Sequence, residues 1–120
     1  MADLDLKEGN LEIKVDETGG KNLMKWIGKS DERDPSSLLN PYFNNILDNL
    51  AGKELEIKFA ELEYMNSSTV PPIIQLIKNL NTKSIKTRIT YDKNSKWQAA
   101  SFKALETIVR TMDNIDVSGE

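Results

Sequence analysis

At 120 residues, with 38% hydrophobic and 29% charged side chains, the chain has the size and composition of one soluble globular domain. Histidine and cysteine are both absent, which excludes an imidazole-based catalytic triad, an imidazole or thiolate metal centre and a disulfide framework. The net charge of −3 argues against a general nucleic-acid binder, whose footprint is basic.

The start, MADLDLKEGN, lacks an apolar leader core, and no apolar run has the length of a membrane span. The expected location is cytoplasmic, with no membrane and no nucleic acid among the partners. Residues 1–9 read as an N-terminal arm, 10–117 as the domain and 118–120 as a tail. Leu11, Ile13 and Val15 alternate with Glu12, Lys14 and Asp16, the pattern of a half-buried strand. Gly19-Gly20 suits a hairpin turn, and Asn22 to Gly28 supplies the returning strand with Leu23, Met24, Trp26 and Ile27. A charged loop, Lys29 to Ser37, follows.

Asn40-Pro41 offers an N-cap and a first-turn proline, so the first helix is expected to start there. Its apolar stripe is Phe43, Ile46, Leu47 and Leu50, and Ala51-Gly52 would close it. Glu54 to Phe59 alternates again as a strand. After the segment Glu61 to Thr69 comes a second helix with the stripe Ile73, Leu76, Ile77 and Leu80. Val70 precedes Pro71-Pro72, which disfavours helical angles at Val70, so that helix is expected to begin at Pro71 or Pro72. Ser84 to Tyr91 is the next strand, with Ile85, Ile89 and Tyr91 on one face. Lys96 to Met112 is the third helix, and Ile115 to Val117 a short strand able to add an edge. Strands alternating with helices after an opening hairpin predict an α/β fold with a mixed sheet, hairpin then βαβαβα, joined by right-handed crossovers.

The hydroxyl cluster Asn66-Ser67-Ser68-Thr69 lies between a strand and an amphipathic helix. Read alone, such residues cap helices and form turns. In its setting, the stretch Leu55 to Leu80 resembles the STAS domain of bacterial anti-sigma-factor antagonists. There a buried strand leads to an Asp-Ser-Ser-Gly signature and then an apolar helix. The element order agrees over about residues 10–117, with Met24 to Gly28 at the glycine-marked second strand. A second likeness is to STAS-like regulatory phosphoproteins of the SiaC type, through Tyr64-Met65-Asn66-Ser67-Ser68-Thr69 and Tyr91-Asp92.

The resemblance implies a non-enzymatic switch, with no catalytic residue, metal or cofactor. Its loop Asn66, Ser67, Ser68 and Thr69 would meet a serine/threonine kinase of the anti-sigma type, a downstream effector protein, or both. The antagonist pattern implies phosphorylation at Ser68 and the SiaC-like pattern at Ser67; Ser68 is the preferred assignment. Asn66 stands where the antagonist pattern has aspartate and Thr69 where it has glycine. Phosphoserine adds about −1.5 to −2 charges, enough to repel an acidic surface or attract an arginine cluster.

Other features carry alternatives. Trp26, Tyr91 and Asp92 outline a small-molecule site, the basis of a sensor-domain reading, although large aromatics mostly pack in cores. Asp31, Glu32 and Asp34 are a carboxylate cluster that reads as a solvated loop, since Lys29 and Arg33 are interleaved. Residues 81–110 carry seven basic and two acidic side chains, either solvated outer faces or a docking face for an acidic partner.

Overall fold

The computed structural model describes residues 4–50 and 53–120. In chain order the elements are β1 (Leu6–Glu8), β2 (Leu11–Thr18), β3 (Lys21–Ser30), α1 (Pro35–Asn49), β4 (Glu54–Lys58), β5 (Leu62–Met65), a 3-10 turn (Ser67–Thr69), α2 (Val70–Thr82), β6 (Thr87–Tyr91), α3 (Lys96–Ile108), a second 3-10 turn (Val109–Thr111) and β7 (Ile115–Gly119). They build one mixed sheet in the order β1-β2-β3-β4-β6-β7, with β5 also paired to β3. β1, β2 and β3 are antiparallel neighbours, and every pairing from β3 onward is parallel. The expected α/β class and mixed sheet hold.

The expected hairpin is present. Gly19 and Gly20 have φ of 60° and 81°, the left-handed pair that a two-residue hairpin loop requires. The sheet also reaches past both ends of residues 10–117, through β1 on one side and β7 to Gly119 on the other.

Two proline-marked helix starts differ from expectation. α1 begins at Pro35, not at Asn40-Pro41, and Pro41 lies inside it. The apolar stripe extends one turn upstream through the fully buried Leu39, which rewards continuing the helix. Pro41 and Ser37, whose carbonyl loses its helical partner, are both exposed, so the interruption falls on the solvent side of the helix. Ala51-Gly52, the expected terminator, lies outside the described residues; Leu50 is the C-cap.

α2 begins at Val70, which is helical at φ −64° and ψ −48°. Pro71 and Pro72 sit in the first turn, where backbone N–H groups have no helical acceptor and nothing is lost. Pro72 and Ile73 are buried, and this packing outweighs the local bias of a residue before proline.

Strands β3, β4, β6 and β7 are laid down in sequence, so right-handed crossovers place all three helices on one face. The ring contacts agree. Trp26 of β3 meets Phe43 of α1 at 6.0 Å and Phe59 at 5.2 Å. Phe102 of α3 lies 4.6 Å from Phe59 and 5.5 Å from Tyr91. Among the described residues the other sheet face carries no helix.

Candidate functional site

The chain runs along β3 twice. β4 pairs with Lys21–Lys25, breaks at residues 59–61, and resumes as β5 against Gly28–Ser30. The break exposes two carbonyls inside the core, and Gln98 of α3 occupies it. Its Nε2 donates to the Phe59 and Leu62 carbonyls at 2.7 and 2.8 Å, and its Oε1 accepts the Asp92 N–H at 2.8 Å. Gln98 is 1% exposed and fully used. Sequence reasoning missed both β5, a four-residue strand, and this buried amide, which has no local signature.

β5 delivers the chain to Asn66 beside the end of β3. The Asn66 N–H donates to the Ser30 carbonyl at 2.9 Å, and the Thr69 N–H donates to the Asn66 carbonyl at 3.1 Å. Three side chains then close a network. Asn66 Nδ2 donates to the Glu32 carbonyl at 2.7 Å, so its Oδ1 is the acceptor for the Thr69 hydroxyl, also at 2.7 Å. Thr69 Oγ1 and Ser30 Oγ are 2.7 Å apart. Because the Thr69 proton is committed to Asn66, Ser30 is the donor in that contact. Thr69 is fully buried and Ser30 is 2% exposed.

Ser67 and Ser68 stand apart from this network, exposed on the 3-10 turn between the locked residues. The four residues expected at the loop therefore divide into two kinds. Ser67 and Ser68 present hydroxyls to solvent, whereas Asn66 and Thr69 hold the loop in place, and Thr69 has no surface to offer a partner. Sequence inspection had no access to Ser30 and the Glu32 carbonyl, which lie more than 30 residues upstream.

The departure of Asn66 from aspartate also has a local reason. A carboxylate cannot donate to the Glu32 carbonyl, and an amide can.

The start of α2 offers an anion little. The Val70 N–H is bonded to the Ser67 carbonyl, and Pro71 and Pro72 have no N–H. A charge placed on Ser67 or Ser68 is thus poorly neutralised from within the helix. The surroundings are acidic. Glu63 and Asp31 to Asp34 are exposed nearby, with Lys29 and Arg33 among them, and Tyr64 is 47% exposed.

The other candidates are placed differently. Trp26 is fully buried among Phe43 and Phe59, and its indole nitrogen finds no hydrogen-bond partner among the described residues; it packs and forms no ligand platform. Asp92 Oδ1 accepts the Asn94 N–H at 2.9 Å within the β6–α3 turn. Asp31 accepts from Asn10 at 3.1 Å and Asp34 from Ser37 at 2.6 Å, and among the described residues no three carboxylates converge. A cleft of about 330 Å³ lined by Lys21, Glu54, Lys86, Arg88 and Asp113 opens at the starts of the parallel strands, the end of the sheet away from Asn66.

Tyr91 is 7% exposed, and its hydroxyl donates to Glu106 at 2.8 Å. That bond, with burial and the carboxylate's charge, raises its pKa above the ordinary 10.0. A raised folded-state value means the stabilisation is complete below the unfolded value and is lost as pH climbs through the folded one. Melting temperatures taken from about pH 8 to 11 are expected to fall more steeply for the wild type than for Tyr91→Phe; parallel curves would contradict this.

No protein-family model matches the sequence, and no curated protein does. Solved structures do resemble the fold. An anti-sigma factor antagonist from Mycobacterium paratuberculosis superposes with a TM-score of 0.64 at 11% identity, covering 88% of this chain and 85% of that one. The activator SiaC, in the crystal structure of diguanylate cyclase SiaD in complex with it from Pseudomonas aeruginosa, gives 0.65 at 16% identity, covering 98% and 100%. An uncharacterized DUF3478 protein with a SpoIIAA-like fold from Shewanella loihica PV-4 gives 0.56 at 13% identity, covering 94% and 90%. The domain has the STAS-like, SpoIIAA-like fold. Among the described residues no helix is long and apolar enough to cross a membrane.

Proposed function

We propose that the chain is a non-enzymatic regulatory protein whose docking to a protein partner is controlled by phosphorylation at the loop Asn66 to Thr69. The observation that carries this reading is the division of the loop: two exposed serine hydroxyls on a frame whose other polar groups are bonded inward. Such a frame presents a hydroxyl to a kinase without local unfolding. Ser68 is the proposed acceptor, with Ser67 the alternative. The proposed partners are a serine/threonine kinase of the anti-sigma type and a downstream effector protein. The fold it shares with an anti-sigma factor antagonist and a cyclase activator supports that class of partner.

The physical action is electrostatic. Phosphate adds about −1.5 to −2 charges to a rim that is already acidic, and the first turn of α2 has few N–H groups to absorb it. The new charge faces outward, where it repels an acidic partner surface or recruits a cationic one, with the fold unchanged.

The test is affinity capture on the purified chain from extract of its own cells, with and without ATP, read by intact mass. The expected result is one added phosphate that disappears in Ser68→Ala and changes which partner is retained. Persistence in Ser68→Ala with loss in Ser67→Ala moves the site by one residue. Phosphate that survives the double alanine variant, or no phosphate at all, would remove the proposal.

A further inference from the structure

The helix-free sheet face carries an ordered charge pattern that the switch loop does not use. The strand register aligns Lys14, Lys25, Lys58, Thr90 and Ser118 in one row across β2, β3, β4, β6 and β7. The next row, two residues away along each strand, is Asp16, Leu23, Glu56, Arg88 and Asp116. Three lysines are thus direct cross-strand neighbours, an arrangement that destabilises an isolated sheet. Lys14 and Lys25 have acidic contacts at 4.0 and 3.8 Å, both solvent-exposed. Lys58, Glu56, Asp16, Arg88 and Asp116 have no ion pair among the described residues.

From this we infer that the open face is the interface of a twofold homodimer, its occupant a second copy of this chain. An axis lying between the two rows and parallel to them exchanges the rows and preserves the strand. Lys58 of each copy then lies over the partner's Glu56, and Lys14 over the partner's Asp16. Lys25 extends its alkyl stem over the partner's Leu23. The contact is isologous, as a twofold demands, and two sheets stacked about 10 Å apart leave room for long charged side chains to meet. With each strand kept over its own counterpart, this exchange of rows is the self-complementary one, because lysine row on lysine row sets like charges together. The axis runs across the strands, so strand directions reverse between copies. The two Asn66–Thr69 loops, at the ends of β3 and β5, therefore point to opposite ends of the dimer and stay clear of the interface.

Sedimentation velocity on the full chain in low and high salt tests this. The expected result is a dimer whose dissociation constant rises with ionic strength. Lys58→Glu and Glu56→Lys each set like charges across the axis and are expected to weaken the dimer at least about tenfold. The double exchange Lys58→Glu with Glu56→Lys restores opposite charges and is expected to restore the dimer. Circular dichroism confirms that each variant is folded; if one is not, the other single variant carries the comparison. A wild type that stays monomeric at about 0.5 mM in low salt overturns the proposal, the face then being solvated or held for a different protein. So does a double exchange that stays monomeric.

Discussion

Replacing Gly28 by alanine is expected to destabilise the fold by about 3 kcal/mol or more, lowering the melting temperature by roughly 10 °C. Gly28 has φ +90°, and a Cβ there would stand 2.2 Å from the Asn10 carbonyl oxygen. That oxygen is backbone, bonded to the Lys29 N–H at 2.9 Å, so it cannot move aside alone. The register between β3 and β5 shifts between Gly28 and Lys29. Two residues past this irregularity, Ser30 meets Thr69 at 2.7 Å. Pushing Asn10 away therefore disturbs the site as well as the sheet, and amide exchange at Asn66 should accelerate along with the loss of stability. Gly19→Ala is the control: φ is +60°, but nothing lies within 4 Å of the added Cβ, so its expected cost is about 1 kcal/mol from backbone strain alone. Equal melting temperatures for the two variants would show that the close approach does not matter.

The features legible in the sequence are those whose signal is local and periodic. The β2–β3 hairpin declares itself through alternation around Gly19-Gly20, and the helix stripes Phe43, Ile46, Leu47, Leu50 and Ile73, Leu76, Ile77, Leu80 are buried as expected. Prolines misled at both helix starts, because Leu39 and Pro72 gain more from burial than the local backbone preference costs. At the loop, the hydroxyl run is visible in the sequence, but its partition is not. Whether Thr69 faces solvent or Ser30 depends on β5 lying against β3, and a four-residue strand leaves too little pattern to predict that pairing. Gln98 is illegible for the same reason: a glutamine becomes structural only where a strand break places carbonyls in front of it. The charge rows of the open face are likewise a product of register across five strands, with each strand contributing an ordinary alternation.

The substitution Asn66→Asp, conservative in shape and matching the antagonist pattern, is expected to be harmful here in a pH-dependent way. Asn66 donates to the Glu32 carbonyl and accepts from Thr69. An ionised aspartate keeps the second bond but sets an oxygen against the Glu32 carbonyl at the 2.7 Å now spanned by a hydrogen bond. Losing that donor and adding repulsion is expected to cost about 1–3 kcal/mol. A protonated carboxyl is a donor and restores the contact, so folding favours the neutral acid and raises the variant's folded-state pKa. By linkage, the deficit is smallest below the unfolded aspartate value near ~3.9 and grows as pH rises through the folded value. Melting curves of Asn66→Asp and wild type should thus converge at acid pH and separate at neutrality. Asn66→Ala, with neither donor nor acceptor, should show a deficit that does not vary with pH. A neutral-pH melting temperature equal to wild type in Asn66→Asp would mean that the tie between residue 66 and the β3–α1 loop does not hold the loop Asn66 to Thr69. The same variant separates frame from signal. Ser67 and Ser68 remain exposed and chemically unchanged, so phosphate acceptance at acid pH should persist, while at neutral pH it should follow the fraction of loops still locked against Ser30.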